Sequence, residues 1–470
     1  ENPAEATLQY AQALENRFDF VAARSAYRQL VATAPESGAA VWARRRSMEI
    51  DALIDEKAAY ERIHQNAVRV LAHIGINIAE NEPILETLMA ADAIDFENQD
   101  AVFVPIKSAY VESCLETAPR GISADPGLNA FGTGATPPFL KREGDALLRA
   151  ASRLEFQEIL ELAADWKDAV GILSLPVQTD RTMVEFDCAR AMDAAFSGLK
   201  MIPTRKMSNV ETRYFRGRED WLDGTTLLTG LTPMSNMVAP FMRSAETGNN
   251  LLLLDLSIAG ASGPNSPEAL LTFIHAQVLF MVVLAQTLCP GIVCVHGGIP
   301  GVVDTAGDLS YSHRAQPVIN AAMARLNRWV TGLPSAQSGG STSETDDLAV
   351  AVEESETSRN TMRAYGVHMV RHALGALGNL NFFSMEKFEE DCRRELAAAS
   401  RQPAPPVPAA LYLPRDERAL DAVREIALRR NPRNTDHSLQ HVDDFARWMA
   451  DLDRAAAEPA EIPVKIQKVA

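Results

Sequence analysis

LLLLDLSIAGASGPNSPEALLTFIHAQVLFMVVLAQTLCPGIVCVHGG, residues 251–298, holds one full turn of the pattern that organises this chain. Leu251–Ala259 is an apolar run closed by a Gly/Pro-rich loop. Asn265, Ser266 and Pro267 then supply a cap and first turn, and a helix is expected over 266–288. Ile292–Gly297 is a second apolar run that ends in paired glycines. A strand, a capped helix and another strand make a parallel βα unit, because parallel neighbours need a crossover connection.

Outward from this unit the same alternation continues. Further strands are read at Ala130–Leu140, Val170–Val177, Leu199–Arg205, Pro233–Ala239, Trp329–Ser335 and Leu377–Phe383. Helices are expected near 154–166, 182–197, 207–229, 315–328, 345–373 and 386–399. Eight strands with this spacing predict an α/β fold, a (β/α)8 TIM barrel over 127–400. No G-x-G-x-x-G opens a helix after any strand, which disfavours the competing doubly wound sheet. Before the barrel, residues 1–126 read as an N-terminal, mostly helical cap with short strands at 75–78 and 101–105. After it, a linker with Pro403, Pro405, Pro406 and Pro408 leads to a C-terminal helical tail over 401–470.

Composition narrows the function. The 470 residues carry 45 Lys+Arg against 62 Asp+Glu, a formal charge of −17, with 47% hydrophobic content. That is ample for a core, and the acid excess supplies no basic surface for nucleic acid or an anionic membrane. The apolar runs near 251–261 and 277–289 are broken by Asp255, Gln277 and Gln286 before membrane-spanning length. No basic region followed by an apolar stretch opens the chain, so no export signal is expected. Cys114, Cys188, Cys289, Cys294 and Cys392 are scattered without a C-x-x-C pair, which fits a reducing, cytoplasmic setting and argues against a thiolate metal site.

In such a barrel the chemistry sits on the loops after the strands. Those loops read 132–139, 177–180, 203–206, 239–244, 259–264, 296–300, 338–344 and 378–383, and they are rich in glycine. His296 falls at a strand end and His313 in the following loop. His368 and His372 stand four apart on an expected outer helix, and His437 and His441 stand four apart in the tail; both pairs read as surface or packing residues. The acidic run from Glu344 to Glu356 opens a helix, where carboxylates favour the dipole.

Several segments, in their order along the chain, resemble one family. They are His-Ile-Gly-Ile-Asn-Ile (73–78), Leu-Glu-Thr-Ala-Pro-Arg (115–120), Gly-Ala-Thr-Pro-Pro-Phe (134–139), Ala-Pro-Phe-Met-Arg (239–243), Ile-Ala-Gly-Ala-Ser-Gly-Pro (258–264), Gly-Gly-Ile-Pro (297–300) and Val-Ile-Asn-Ala-Ala-Met-Ala-Arg-Leu (318–326). Met385-Glu386-Lys387 and the His437–His441 segment add to them. The family is the trimethylamine and glycine betaine methyltransferases of corrinoid-dependent methyl transfer, and the resemblance spans roughly residues 60–445.

The resemblance implies a barrel that holds a methylated amine, over which a separate corrinoid protein presents a cobamide. Reduced cobalt is the nucleophile, so no side chain is assigned the catalytic step and no tightly bound metal is expected. The trimethylamine enzymes carry pyrrolysine where this chain has Gly340, so it resembles the non-pyrrolysine branch, which acts on quaternary amines. Gly378 stands where that family has a carboxylate. The implied lining is Phe139, Gln178, Arg205, Phe241, Arg243, His296, Tyr311, Gln337, Gly340, Glu344, Asn381 and Phe382. Arg205 or Arg243 can clamp a substrate carboxylate, and Phe241, Tyr311 and Phe382 can face an ammonium.

Two other classes stay open. A degenerate barrel would bind a small ligand or partner without methyl transfer, a reading that Gly378 motivates. A metal-dependent lyase or hydrolase would need ligands converging on His296. The apolar stretch Phe280–Leu288 suggests a homo-oligomer.

Overall fold

The computed structural model describes residues 3–95, 102–134, 136–142, 148–180, 183–303, 309–401, 410–429 and 443–457. Eight parallel strands close a barrel: β1 (Ala130–Thr133), β2 (Ile172–Ser174), β3 (Leu199–Ile202), β4 (Trp221–Thr225), β5 (Leu251–Asp255), β6 (Cys294–Gly298), β7 (Ser335–Ser338) and β8 (Met369–Leu374). Each pairs with its sequence neighbours, and β8 closes on β1 with Ala130 opposite Met369. Ile172, Leu199, Met201, Leu222, Leu252, Val295, Ala336 and Met369 fill the interior. Alternate strand residues turn outward beneath the helices, as the two-residue period of a strand requires.

The opening unit folds as read. Ser266 caps the helix Pro267–Leu288 through its Oγ, which accepts from the Ala269 N–H. That helix passes for a membrane span by length and apolarity, so Gln277 and Gln286 do not shorten it as expected, and Asp255 lies outside it at the end of β5. The helix lies wholly inside the chain, against the N-terminal and barrel elements. Within the stretch Phe280–Leu288, residues 280–286 are buried in the core.

Three strand readings need correction. Pro233–Ala239 is not a strand: a helix runs over Ser235–Thr247 and the fourth strand is Trp221–Thr225, inside the stretch expected to be helical. Asp223 misdirects that reading, since a carboxylate in a strand core is unusual; here it accepts from Thr204 N (2.9 Å) and the Thr204 and Ser244 hydroxyls. The seventh strand begins at Ser335, because Asn327–Thr331 ends a helix in a π turn. The eighth is Met369–Leu374 rather than Leu377–Phe383, so His372 lies on a barrel strand and His368 just before it, not on an outer helix.

The N-terminal segment is helical, α1 (Pro3–Asn16), α2 (Phe20–Thr33) and the 32-residue α3 (Gly38–Arg69). The expected short strands reduce to one antiparallel bridge between Ile76 and Val104. Phe18, Phe20 and Tyr60 pack on Trp329, which ties the hairpin to the barrel's helical shell. The prolines at 403–408 and His437 to His441 lie outside the described residues.

Candidate active site

The C-terminal ends of the eight strands form the mouth of the barrel, and the expected lining divides there into four groups. Gln178 and Arg205 come together in a cavity of about 270 Å³ between the loops after β2 and β3, with Asp180, Glu185 and Lys206. Burial raises the Glu185 carboxyl, although Lys206 stands 3.6 Å away.

Phe139 and Phe382 also meet. They are register partners in a small sheet over the mouth, with ring centroids 5.8 Å apart. Lys141 lies over the Phe382 ring, so one aromatic face already holds a cation. Asn381 is exposed and donates to Gly378 O (2.7 Å), while Tyr311 is buried and its backbone N–H donates to Asn379 Oδ1 at 2.9 Å. Burial pushes the Tyr311 phenol up to about 12.

A third group is structural. The Glu344 carboxylate accepts from the N–H groups of Thr345 and Asp346 (2.8 Å each) and Asp347 (3.2 Å), which lowers its pKa and commits it to its own turn. Phe241 and Arg243 sit on the Ser235–Thr247 helix, not on a mouth loop. Phe241 is fully buried in the core, and Arg243 donates to Thr204 O at 3.3 Å. Gly340 has φ +72° and a Cβ there would stand 2.7 Å from Ala373 Cα, so the position leads into the wall. Gly378 (φ +54°) opens a run of left-handed residues with Asn379 and Leu380, and a Cβ would meet Thr345 and the Phe382 ring.

His296 and Gln337 form the fourth group, and they belong to a buried chain that sequence spacing cannot reveal. Gln337 Nε2 meets His296 Nδ1 at 3.3 Å, His296 Nε2 meets His275 Nδ1 at 3.3 Å, and His275 Nε2 meets His64 Nδ1 at 3.0 Å. His64 Nε2 ends the chain 3.4 Å from Glu112 on the surface. One tautomer satisfies every link, each ring accepting at Nδ1 and donating from Nε2. Burial holds all three rings neutral, lowering His64 and His275 and pushing His296 down to about 3. His296 thus faces helix Pro267–Leu288 and not the cavity.

Sequence reasoning also missed Arg371 and His372. Val370 joins the apolar layer under the helices and Met369 the barrel interior, so Arg371 returns to the interior side. Its Nε donates to Ala336 O (3.1 Å), Nη2 to Gly298 O (3.2 Å) and Nη1 to His372 Nε2 (3.3 Å). His372 has φ +66°, and the β1/β8 register shifts beside it. A bulge and a left-handed histidine in a barrel strand are strain of the kind found at functional sites. Among the described residues, no group of three or more His, Cys, Asp or Glu side chains is placed to hold a metal ion.

A closed parallel barrel with a polar, glycine-rich mouth defines a (β/α)8 enzyme-type scaffold. A model of the trimethylamine methyltransferase family matches residues 22–453, and the chain belongs to that family. Methyltransferase chemistry on methylated amines is the activity of that class. The glycine betaine methyltransferase of Desulfitobacterium hafniense (strain Y51) is 27% identical over 358 residues, covering 70% of this chain and 73% of that protein. The monomethylamine methyltransferase of Methanosarcina barkeri aligns over 84% of this chain and 86% of that one, at 10% identity and a TM-score of 0.48.

Proposed function

We propose that this protein removes a methyl group from a glycine betaine-like quaternary amine and passes it to the cobalt of a corrinoid carried by a separate partner protein. The match to the glycine betaine methyltransferase over most of both chains carries this reading. Gly340 is consistent with it: the position that matches pyrrolysine in the trimethylamine enzymes is a left-handed glycine whose Cβ direction is closed by Ala373 and Arg359.

Reduced corrinoid supplies the nucleophile when the partner docks. This chain's residues then have to hold the amine, orient one N–CH3 bond toward the mouth and exclude water. A quaternary ammonium needs no general acid to leave as a neutral amine. His296 turns away from the cavity toward His275. The mouth aromatics Phe139 and Phe382 are the candidate cation faces, and Gln178 with Arg205 the candidate polar rim.

The test mixes the purified protein with a reduced corrinoid protein and glycine betaine, following dimethylglycine by mass spectrometry. Formation of dimethylglycine with loss of reduced corrinoid supports the reading. Gly378, which cannot carry a carboxylate without displacing Thr345 or Phe382, favours the second reading of a barrel that binds without turnover. Saturable betaine binding with no dimethylglycine selects that one.

A further inference from the structure

Four arginines are almost wholly buried in this chain, and three are matched with carboxylates: Arg46 with Glu15, Arg325 with Glu56, and Arg359 with Asp391 and Glu395. Arg371 is the fourth. It is completely buried on the interior side of β8, and its acceptors are two backbone carbonyls and a neutral imidazole. No carboxylate stands within ion-pair distance of it among the described residues. Burial without a counter-charge is costly for a guanidinium, and it draws Arg371 down to about 9.

The hydrogen bonds leave a specific remainder. A guanidinium has five N–H groups, and Arg371 commits one each from Nε, Nη1 and Nη2. One N–H on each terminal nitrogen is left, the pair that a carboxylate takes in bidentate geometry. The group reaches Gly298 O at the end of β6, the rim where ligands bind in this fold, and Tyr311 is the nearby polar side chain that interacts with it. Immediately after it, the strain at His372 and the bulge in β8 fix the direction of the side chain.

We propose that Arg371 is the residue that anchors the carboxylate of the substrate, and that it is what lets this barrel tell a betaine from a bare ammonium. The proposal rests on the betaine reading above and adds the residue that reads the carboxylate. It moves the clamp from Arg205 and Arg243, of which the first is exposed and the second bonded to Thr204, to the interior wall. A barrel that took a simple cation would keep an uncompensated positive charge in its wall; a zwitterion brings the missing anion.

Calorimetric titration of the full chain with glycine betaine, its methyl ester and tetramethylammonium tests this. The wild-type protein is expected to bind the betaine at least roughly 30-fold more tightly than the ester or tetramethylammonium, the loss expected for charge-assisted hydrogen bonds. Arg371→Gln should remove that preference and leave tetramethylammonium binding unchanged, while Arg371→Lys restores part of it. Equal wild-type affinity for betaine and ester overturns the proposal without any variant, as does an Arg371→Gln protein that keeps the preference. A uniform loss for all three ligands in the variant also overturns it, since that marks a purely structural arginine. Failure of the wild type to bind any of the three contradicts the methylated-amine reading itself, and the proposal falls with it.

Discussion

Gly340 shows how a single residue reports on the site. The sequence places it in a glycine-rich loop after the seventh strand, and the resemblance makes it a lining position. Its backbone N–H donates to Ser358 Oγ at 2.9 Å, and the Cβ direction is blocked by Ala373 and Arg359. Gly340→Ala combines a left-handed backbone with a 2.7 Å approach to Ala373, and is expected to cost about 2 kcal/mol. A drop in the urea midpoint with unchanged slope checks this; wild-type stability would mean the loop relaxes freely. The residue types at the mouth were legible, but their directions were not. Glu344 reads as a charge for the cavity, yet three backbone N–H groups of its own turn capture it.

At the scale of elements, the histidine chain joins α3, the helix Pro267–Leu288, β6 and β7 into one buried line. Its rings are neutral in the fold, whereas an exposed histidine ordinarily titrates near 6.5. The unfolded chain therefore binds more protons below that pH, so stability is fully present above 6.5 and is lost as pH falls toward the depressed folded values. The slope is up to about 1.4 kcal/mol per pH unit for each histidine. Denaturation between pH 8 and pH 5 should show it, and His275→Gln should flatten the slope by one proton; an unchanged slope would remove His275 from the titrating set. No spacing rule finds this line, since His64, His275 and His296 are far apart in sequence. The strand errors have a related cause. Asp223 in β4 and Arg371 with His372 in β8 put polar groups inside strands, which breaks the apolar runs by which a strand is recognised. The unit at 251–298 has two, Asp255 at the very end of β5 and His296 in β6, and the apolar runs around them stay recognisable.

For the whole molecule, the opening pattern gave the closed barrel, while attachment of the N-terminal helices depends on contacts between distant segments. Arg325 Nη1 meets both Glu56 carboxylate oxygens at 2.7 and 2.8 Å, joining α3 to the helix Ala315–Leu326, and Glu56 Oε2 also receives the Leu411 N–H at 2.8 Å. Glu56→Gln leaves the buried Arg325 guanidinium without its counter-charge and is expected to cost about 3–5 kcal/mol. Chemical denaturation of the full chain measures that loss, and an effect under about 1 kcal/mol would show that the N-terminal helices dock without the pair.

The acid excess of the sequence proved a poor guide to the site: Arg371 in the barrel wall has no carboxylate partner among the described residues, and Gly378 stands where the resemblance implies a carboxylate. Turnover is therefore the property that decides what this barrel does. Anaerobic incubation of the purified protein with reduced corrinoid protein and isotope-labelled glycine betaine should yield dimethylglycine and a labelled methyl group on the corrinoid. Betaine returned unchanged, with a competent corrinoid protein present, would contradict the methyltransferase reading.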